Sequence, residues 1–174
     1  KACVGGKYST SGEAQTLATV CKPCGAGRYS TSEAQISVDV CTACIPGRYS
    51  TAGNGQSSID VCDNKCSAGK FSEQEGLTSN GDCTSCVEGR YSIAGDGQSS
   101  IDVCDNKCSA GRWSDQKSLT SNDECKKCTA GKWSEQEGLI SNSDCTSCEK
   151  GRYSIAGNGQ SSIDVCDNKC STGR

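Results

Sequence analysis

Eight copies of one phrase, Cys-x-x-Gly-[Lys/Arg]-aromatic-Ser, recur at intervals of 20 to 22 residues along this chain. They run from Cys3 to Tyr8, Cys24 to Tyr29, Cys44 to Tyr49, Cys66 to Phe71, Cys86 to Tyr91, Cys108 to Trp113, Cys128 to Trp133 and Cys148 to Tyr153, and a ninth begins at Cys170. Every aromatic residue of the chain stands in this phrase, five positions after a cysteine. A fixed period of this size marks an array of small supersecondary elements, each leaning on its neighbours. The expected repeats are 1–23, 24–43, 44–65, 66–85, 86–107, 108–127, 128–147 and 148–169, with 170–174 a truncated ninth.

Composition says what has to hold such an array together. Val, Ile, Leu and the single Phe make 21 of 174 residues, about 12%, below the level of roughly 20% under which a chain ordinarily stays disordered. Ordering the backbone alone costs on the order of 1–2 kcal/mol per residue, more than so few apolar side chains can offset. The 17 cysteines, about one residue in ten, reach the density of a disulfide scaffold. A bridge closing 16 or 17 intervening residues stabilises by about 3 kcal/mol in the chain-entropy model, so eight of them would replace the missing core.

Two arrangements use up the cysteines. In one, each repeat closes on itself: Cys3–Cys21, Cys24–Cys41, Cys44–Cys62, Cys66–Cys83, Cys86–Cys104, Cys108–Cys125, Cys128–Cys145 and Cys148–Cys166, leaving Cys170 unpaired. In the other, neighbouring pairs form zinc sites, as the spacing of Cys21, Cys24, Cys41 and Cys44 allows. The order of repeat types favours the first. Long repeats, such as the one carrying Ala94-Gly95-Asp96-Gly97, alternate with short ones, except that two short repeats follow each other from Cys108 and Cys128. Zinc sites would then take the Cys-x3-Cys spacing first in two sites and last in another, whereas self-closing repeats tolerate any order. The chain also has no His. A redox role for the Cys-x2-Cys pairs lacks the amphipathic helix and α/β setting such a dithiol normally has.

Locally, Arg48-Tyr49-Ser50-Thr51 and its equivalents favour strands. Ser58-Ile59-Asp60-Val61-Cys62 alternates at strand period, and Asn54-Gly55, Asp96-Gly97 and Asn158-Gly159 suit hairpin turns. The expectation is a hairpin per repeat, with no second-strand signal where Ser79-Asn80-Gly81-Asp82 and its variants replace the turn. Gly47, Gly89 and their equivalents suit a positive φ or a close approach of the next repeat. The rings Tyr8, Tyr29, Tyr49, Phe71, Tyr91, Trp113, Trp133 and Tyr153 are expected to pack one repeat on the next, each with Ile or Val in a miniature core. The cation before each ring reads as a solvated charge whose stem lies on the ring.

The net charge of −3 and the even spread of Lys and Arg give no basic surface for nucleic acid or anionic lipid. No apolar run approaches the length of a membrane span. Without an initiator Met or signal peptide, the chain reads as a fragment of a longer array or a processed chain. Ser and Thr are abundant enough for O-linked glycans. Asn64, Asn106 and Asn168 match only the rare Asn-x-Cys acceptor. Asp60/Asp63, Asp102/Asp105 and Asp164/Asp167 lack the alternation of an EF-hand loop and read as solvated carboxylates. No cofactor, metal site or catalytic residue is expected, and the chain is read as no enzyme, since the lack of His leaves no conventional nucleophile–base arrangement.

The stretches Cys21-Lys22-Pro23-Cys24-Gly25-Ala26-Gly27-Arg28-Tyr29-Ser30 and Cys41-Thr42-Ala43-Cys44-Ile45-Pro46-Gly47-Arg48-Tyr49-Ser50 resemble the ephrin-receptor-like cysteine-rich repeat. They are more distantly similar to tumour-necrosis-factor-receptor and EGF-like modules. The resemblance covers the whole chain and departs from the family in its Cys-x3-Cys links, in Trp113 and Trp133, and in the near identity of its copies. It implies an extracellular or cell-surface location, intra-repeat disulfides and an elongated shape. The expected fold is thus a small disulfide-rich, mainly β and irregular tandem-repeat rod. Near-identical repeats suit self-association in an extracellular rod, stalk or filament. The competing expectation is a receptor or adhesion ectodomain that binds another extracellular protein, which should show one repeat with a divergent surface.

Overall fold

The computed structural model describes residues 2–10 and 20–171. The 11–19 stretch of the first repeat and the last three residues of the truncated ninth lie outside the described residues. The described chain is a small disulfide-rich tandem-repeat β fold made of two-residue strands and 3₁₀ turns, with no α-helix among the described residues. It divides into two compact bodies, one of Lys1–Thr84 with Gly95–Ile101 and the other of Ser85–Ala94 with Asp102–Arg174.

The first body carries β1 (Lys7–Tyr8), β2 (Lys22–Pro23), β3 (Arg28–Tyr29), β4 (Thr42–Ala43), β5 (Arg48–Tyr49), β6 (Asn64–Lys65) and β7 (Lys70–Phe71), and the division between the bodies falls within β8 (Thr84–Ser85). The second carries β9 (Arg90–Tyr91), β10 (Asn106–Lys107), β11 (Arg112–Trp113), β12 (Lys126–Lys127), β13 (Lys132–Trp133), β14 (Thr146–Ser147), β15 (Arg152–Tyr153) and β16 (Asn168–Lys169). Consecutive strands pair into eight two-stranded sheets. The registers are antiparallel and regular: Tyr49 stands opposite Asn64, Tyr91 opposite Asn106, Trp113 opposite Lys126 and Trp133 opposite Thr146.

The second strand of each hairpin is therefore the link between two cysteines, and the Ser-Ile-Asp-Val-Cys segment is not a strand. Ile59–Cys62, Ile101–Cys104 and Ile163–Cys166 are 3₁₀ turns. Their Ser-x-Asp start explains why. The extended Ser58 accepts the Asp60 N–H through its Oγ at 3.2 Å and donates that hydroxyl to the Asp60 carboxylate at 3.0 Å, a local pairing that begins a helical turn. Ile59 and Val61 alternate over too short a run to outweigh it.

Nor do Asn54-Gly55 and its equivalents make two-residue hairpin turns. Only the glycine has a positive φ, 81° at Gly55 and 83° at Gly97 and Gly159, whereas a type I′ turn needs it at both residues. The glycine N–H instead reaches the opening cysteine of the preceding repeat, from Gly55 to the Cys24 carbonyl at 2.8 Å and from Gly159 to that of Cys128 at 2.8 Å.

Short repeats use the same 3₁₀ device at Asn80–Asp82, Asn122–Glu124 and Asn142–Asp144. Asp82 accepts the Thr78 N–H and hydroxyl at 2.9 and 3.0 Å and the Ser79 N–H at 2.9 Å. These bonds, the Thr78 backbone one foremost, hold its carboxyl below the ordinary aspartate value. At Glu124 the Thr120 hydroxyl leads the same downward shift. A depressed carboxylate stabilises the fold above its unfolded pKa, and that contribution is lost as pH falls through the folded value. The Asn80–Asp82 turn is thus expected to open only in acid. An NMR titration should move the Thr78 and Ser79 amide resonances with a midpoint below 3.8, and a midpoint at or above that value would refute the assignment.

Candidate functional site

The chemistry of this chain is concentrated at the junctions between repeats. Each opening cysteine is joined to the next cysteine along, in the pairs Cys3–Cys21, Cys24–Cys41, Cys44–Cys62, Cys66–Cys83, Cys86–Cys104, Cys108–Cys125, Cys128–Cys145 and Cys148–Cys166. Cys170 is free and exposed. Separations of 17 or 18 residues with Cα atoms 5.3 to 6.0 Å apart make each repeat a closed loop.

Each described ring that belongs to a packing cluster lies on the disulfide of the following repeat. Tyr49 rests against Cys66, Leu77 and Cys83, Tyr91 against Cys108, Leu119 and Cys125, and Trp113 against Cys128, Leu139 and Cys145. Phe71 is buried, while Tyr8, Tyr29 and Trp133 are half-buried. Tyr153, which has no complete repeat after it, is 47% exposed. The aliphatic partner differs from the expected one. It is Leu, and all eight Ile residues are exposed, because they fall on 3₁₀ turns and loops instead of at the position facing the ring. Tyr91→Ala should cost about 2 kcal/mol, scaled down from full ring removal for partial burial, and open the chain near Leu119 to limited proteolysis. Unchanged melting and cleavage would refute this packing.

Backbone bonds fix the register. Tyr8, Tyr29, Tyr49, Phe71, Tyr91, Trp113 and Trp133 form parallel bridges to Gln35, Gln56, Leu77, Gln98, Leu119, Leu139 and Gln160 of the next repeat. The serine after each ring completes the bridge. Ser50 and Ser114, at 1% and 0% exposure, donate their N–H to the Leu77 and Leu139 carbonyls at 3.0 and 2.9 Å. The Ser50 hydroxyl then accepts the Ala52 N–H at 3.2 Å, and that of Ser114 the Gln116 N–H at 3.0 Å. These serines are buried structural donors and acceptors, a role that sequence reasoning missed. Their invariance beside the ring was the available signal.

The glycine of the phrase satisfies both readings made of it, but the close approach comes from the repeat after next. Gly47 has φ 77°, and a Cβ there would meet the Gly97 carbonyl oxygen at 2.4 Å. At Gly89, φ is 71° and the clash would be with the Gly138 carbonyl oxygen at 2.4 Å. Gly97 and Gly138 are themselves left-handed. In two repeats that second glycine is replaced, by Ala34 with φ 59° and by Ser118 with φ 61°. Ser118→Gly should therefore stabilise the chain by about 1 kcal/mol, read as a higher denaturation midpoint. A lower midpoint would show that the serine side chain contributes something this geometry does not reveal.

The cation before the ring is more than a solvated charge, because it donates to backbone carbonyls. Arg28, Arg90 and Arg112 donate to the carbonyls of Cys41, Cys104 and Cys125 at 2.9, 3.2 and 3.1 Å, and Lys70 and Lys132 to those of Asn80 and Asn142 at 3.3 and 3.0 Å. They tie down the 3₁₀ turn of their own repeat, whose carbonyls lack helical partners. In long repeats the arginine before the ring also faces an aspartate: Arg48–Asp63, Arg90–Asp105 and Arg152–Asp167 lie at 3.7, 3.7 and 3.8 Å. These pairs are exposed and contribute little stability. Asp60 and Asp164 bond to Ser58 and Ser162.

Among the described residues no group of three or more His, Cys, Asp or Glu is placed to hold a metal ion, and no helix is long and apolar enough to cross a membrane. A junction gathers a cystine, a ring, backbone amides and the Leu or Gln bridged to the ring, which together hold neighbouring repeats in register. No protein-family model matches the sequence, and no curated protein matches it.

Proposed function

We propose that this chain is an extracellular structural repeat protein, a component of a cell-surface rod, stalk or filament, related to the ephrin-receptor-like cysteine-rich repeats that its Cys-x2-Cys-x-x-Gly-Arg-Tyr-Ser segments resemble. In this reading it is not an enzyme, and its partners are further copies of itself or other extracellular proteins. Eight disulfides in a chain with so small an apolar core belong to the chemistry of oxidising compartments.

The observation that carries the reading is the sameness of the junctions. The serine-to-carbonyl bond, the parallel bridge and the glycine contact recur within each body with the same atoms and nearly the same lengths. Rules that reach only one or two repeats along the chain build a scaffold of any number of repeats. Negative-stain microscopy of native material tests it: ordered filaments or uniform stalks are the expected result. Monodisperse short particles that capture a soluble protein would overturn it in favour of a receptor or adhesion ectodomain.

A further inference from the structure

Trp113 and Trp133 hold the same place in two consecutive short repeats, yet their surroundings differ: the next repeat sets Leu139 against Trp113 and Gln160 against Trp133, and the residue opposite each ring changes its charge. Opposite Trp113 stands Lys126. Its ammonium lies 4.7 Å from the ring centroid and 2.7 Å from the carboxylate of Asp115, two residues after the ring. Opposite Trp133 stands Thr146, and the residue two after the ring is Glu135. Ring and carboxylate are retained there, and the cation is missing.

Space is left where that cation would be. Two clefts share Trp133 and Thr146 as walls, one of about 190 Å³ that also takes in Glu135 and Asp144, the other of about 300 Å³ reaching Glu149, Arg152 and Asp167. The smaller cleft thus has two carboxylates, Glu135 and Asp144, among its walls, and the guanidinium of the larger, Arg152, is paired with Asp167 at 3.8 Å. Lys132, adjacent to the ring in sequence, is turned to the Asn142 carbonyl. An aromatic face combined with excess negative charge attracts an ammonium group, and Trp113 shows a ring and carboxylate of the same spacing holding one.

We propose that Trp133, Glu135 and Thr146 form a binding site for a primary alkylammonium group supplied in trans, the lysine side chain of a partner polypeptide, which takes the place that Lys126 has at Trp113. The site stands whether or not the array forms filaments.

The test is an NMR titration of the oxidised full chain at low salt with butylammonium chloride, following the indole N–H resonances of Trp113 and Trp133. The Trp133 resonance should shift saturably, with a dissociation constant on the order of 10 mM, while that of Trp113 stays in place. Glu135→Gln should weaken binding about fivefold. Thr146→Lys, which rebuilds the Lys126 arrangement within the chain, should weaken it at least about tenfold. An unmoved Trp133 resonance, an equal shift with neutral 1-butanol, or full binding by the Thr146→Lys variant overturns the proposal. Tighter binding of tetramethylammonium than of butylammonium overturns the assignment to lysine, because a quaternary ion has no N–H to give Glu135.

Discussion

Excess dithiothreitol in plain buffer, without denaturant, is expected to unfold this chain completely. Each bridge closes a loop of 16 or 17 intervening residues and contributes about 3 kcal/mol by restricting the unfolded ensemble, against a net stability of about 5–15 kcal/mol for an ordinary folded domain. Loss of a few bridges is already comparable with that margin, and all eight go together under reduction. The residual core cannot compensate: its buried apolar members are mostly the cystines themselves, with Leu77, Leu119, Leu139 and Phe71. The measurement is amide chemical-shift dispersion together with hydrodynamic radius, before and after reduction. Retained dispersion in the reduced, alkylated chain would show that packing alone specifies the fold. Thiol titration of the unreduced protein should find one reactive group per chain, Cys170.

The second large effect separates two jobs of a glycine. Gly111 and Gly131 are equivalent residues with φ 74° and 80°, so alanine at either pays the same left-handed penalty of about 1–2 kcal/mol. They differ in what a Cβ would meet. At Gly111 it would lie 2.6 Å from the Gly159 carbonyl oxygen and 2.7 Å from that of Gln160, whereas at Gly131 nothing lies within 4 Å. Backbone cannot swing aside as a flexible side chain can, so Gly111→Ala should cost a further 2–3 kcal/mol or so through displacement of the eighth repeat. Denaturant unfolding of both variants, with protease mapping around residue 159, measures the difference. Equal destabilisation would mean that repeats two apart do not depend on this contact.

The parts of the fold that were legible in the sequence are those written in residue identity. Cysteine spacing and the order of repeat types pointed to self-closing loops, and a glycine before every cation and ring pointed to a left-handed, crowded position. Hairpins were legible as a class but not in place. The strand that pairs with Arg48-Tyr49 is Asn64-Lys65, two polar residues with no periodicity, chosen because the flanking cysteines of two successive loops bring them there. Ser58-Ile59-Asp60-Val61 looked more like a strand and lost to a local serine cap. The junction serines, marked only by their invariance, and the Gln or Leu bridged to each ring were missed for a different reason. Their role lies in backbone bonds to a residue one repeat away, which side-chain chemistry does not announce. The Trp133 clefts emerged only when the two tryptophans could be compared in space.

The disulfides also decide how the chain answers to tension. With every bridge closed, a pull along the backbone bypasses the looped residues and passes through the cystine and the short link to the next cysteine. One repeat then contributes a cystine of about 5.5 Å between Cα atoms and three or four peptide steps of about 3.6 Å each, for Cys-x2-Cys and Cys-x3-Cys links respectively. Reduced, the same repeat would pay out its full 20 to 22 residues. Oxidation thus turns a compliant, glycine- and serine-rich chain into a nearly inextensible strap, and the redox state of its surroundings sets its contour length.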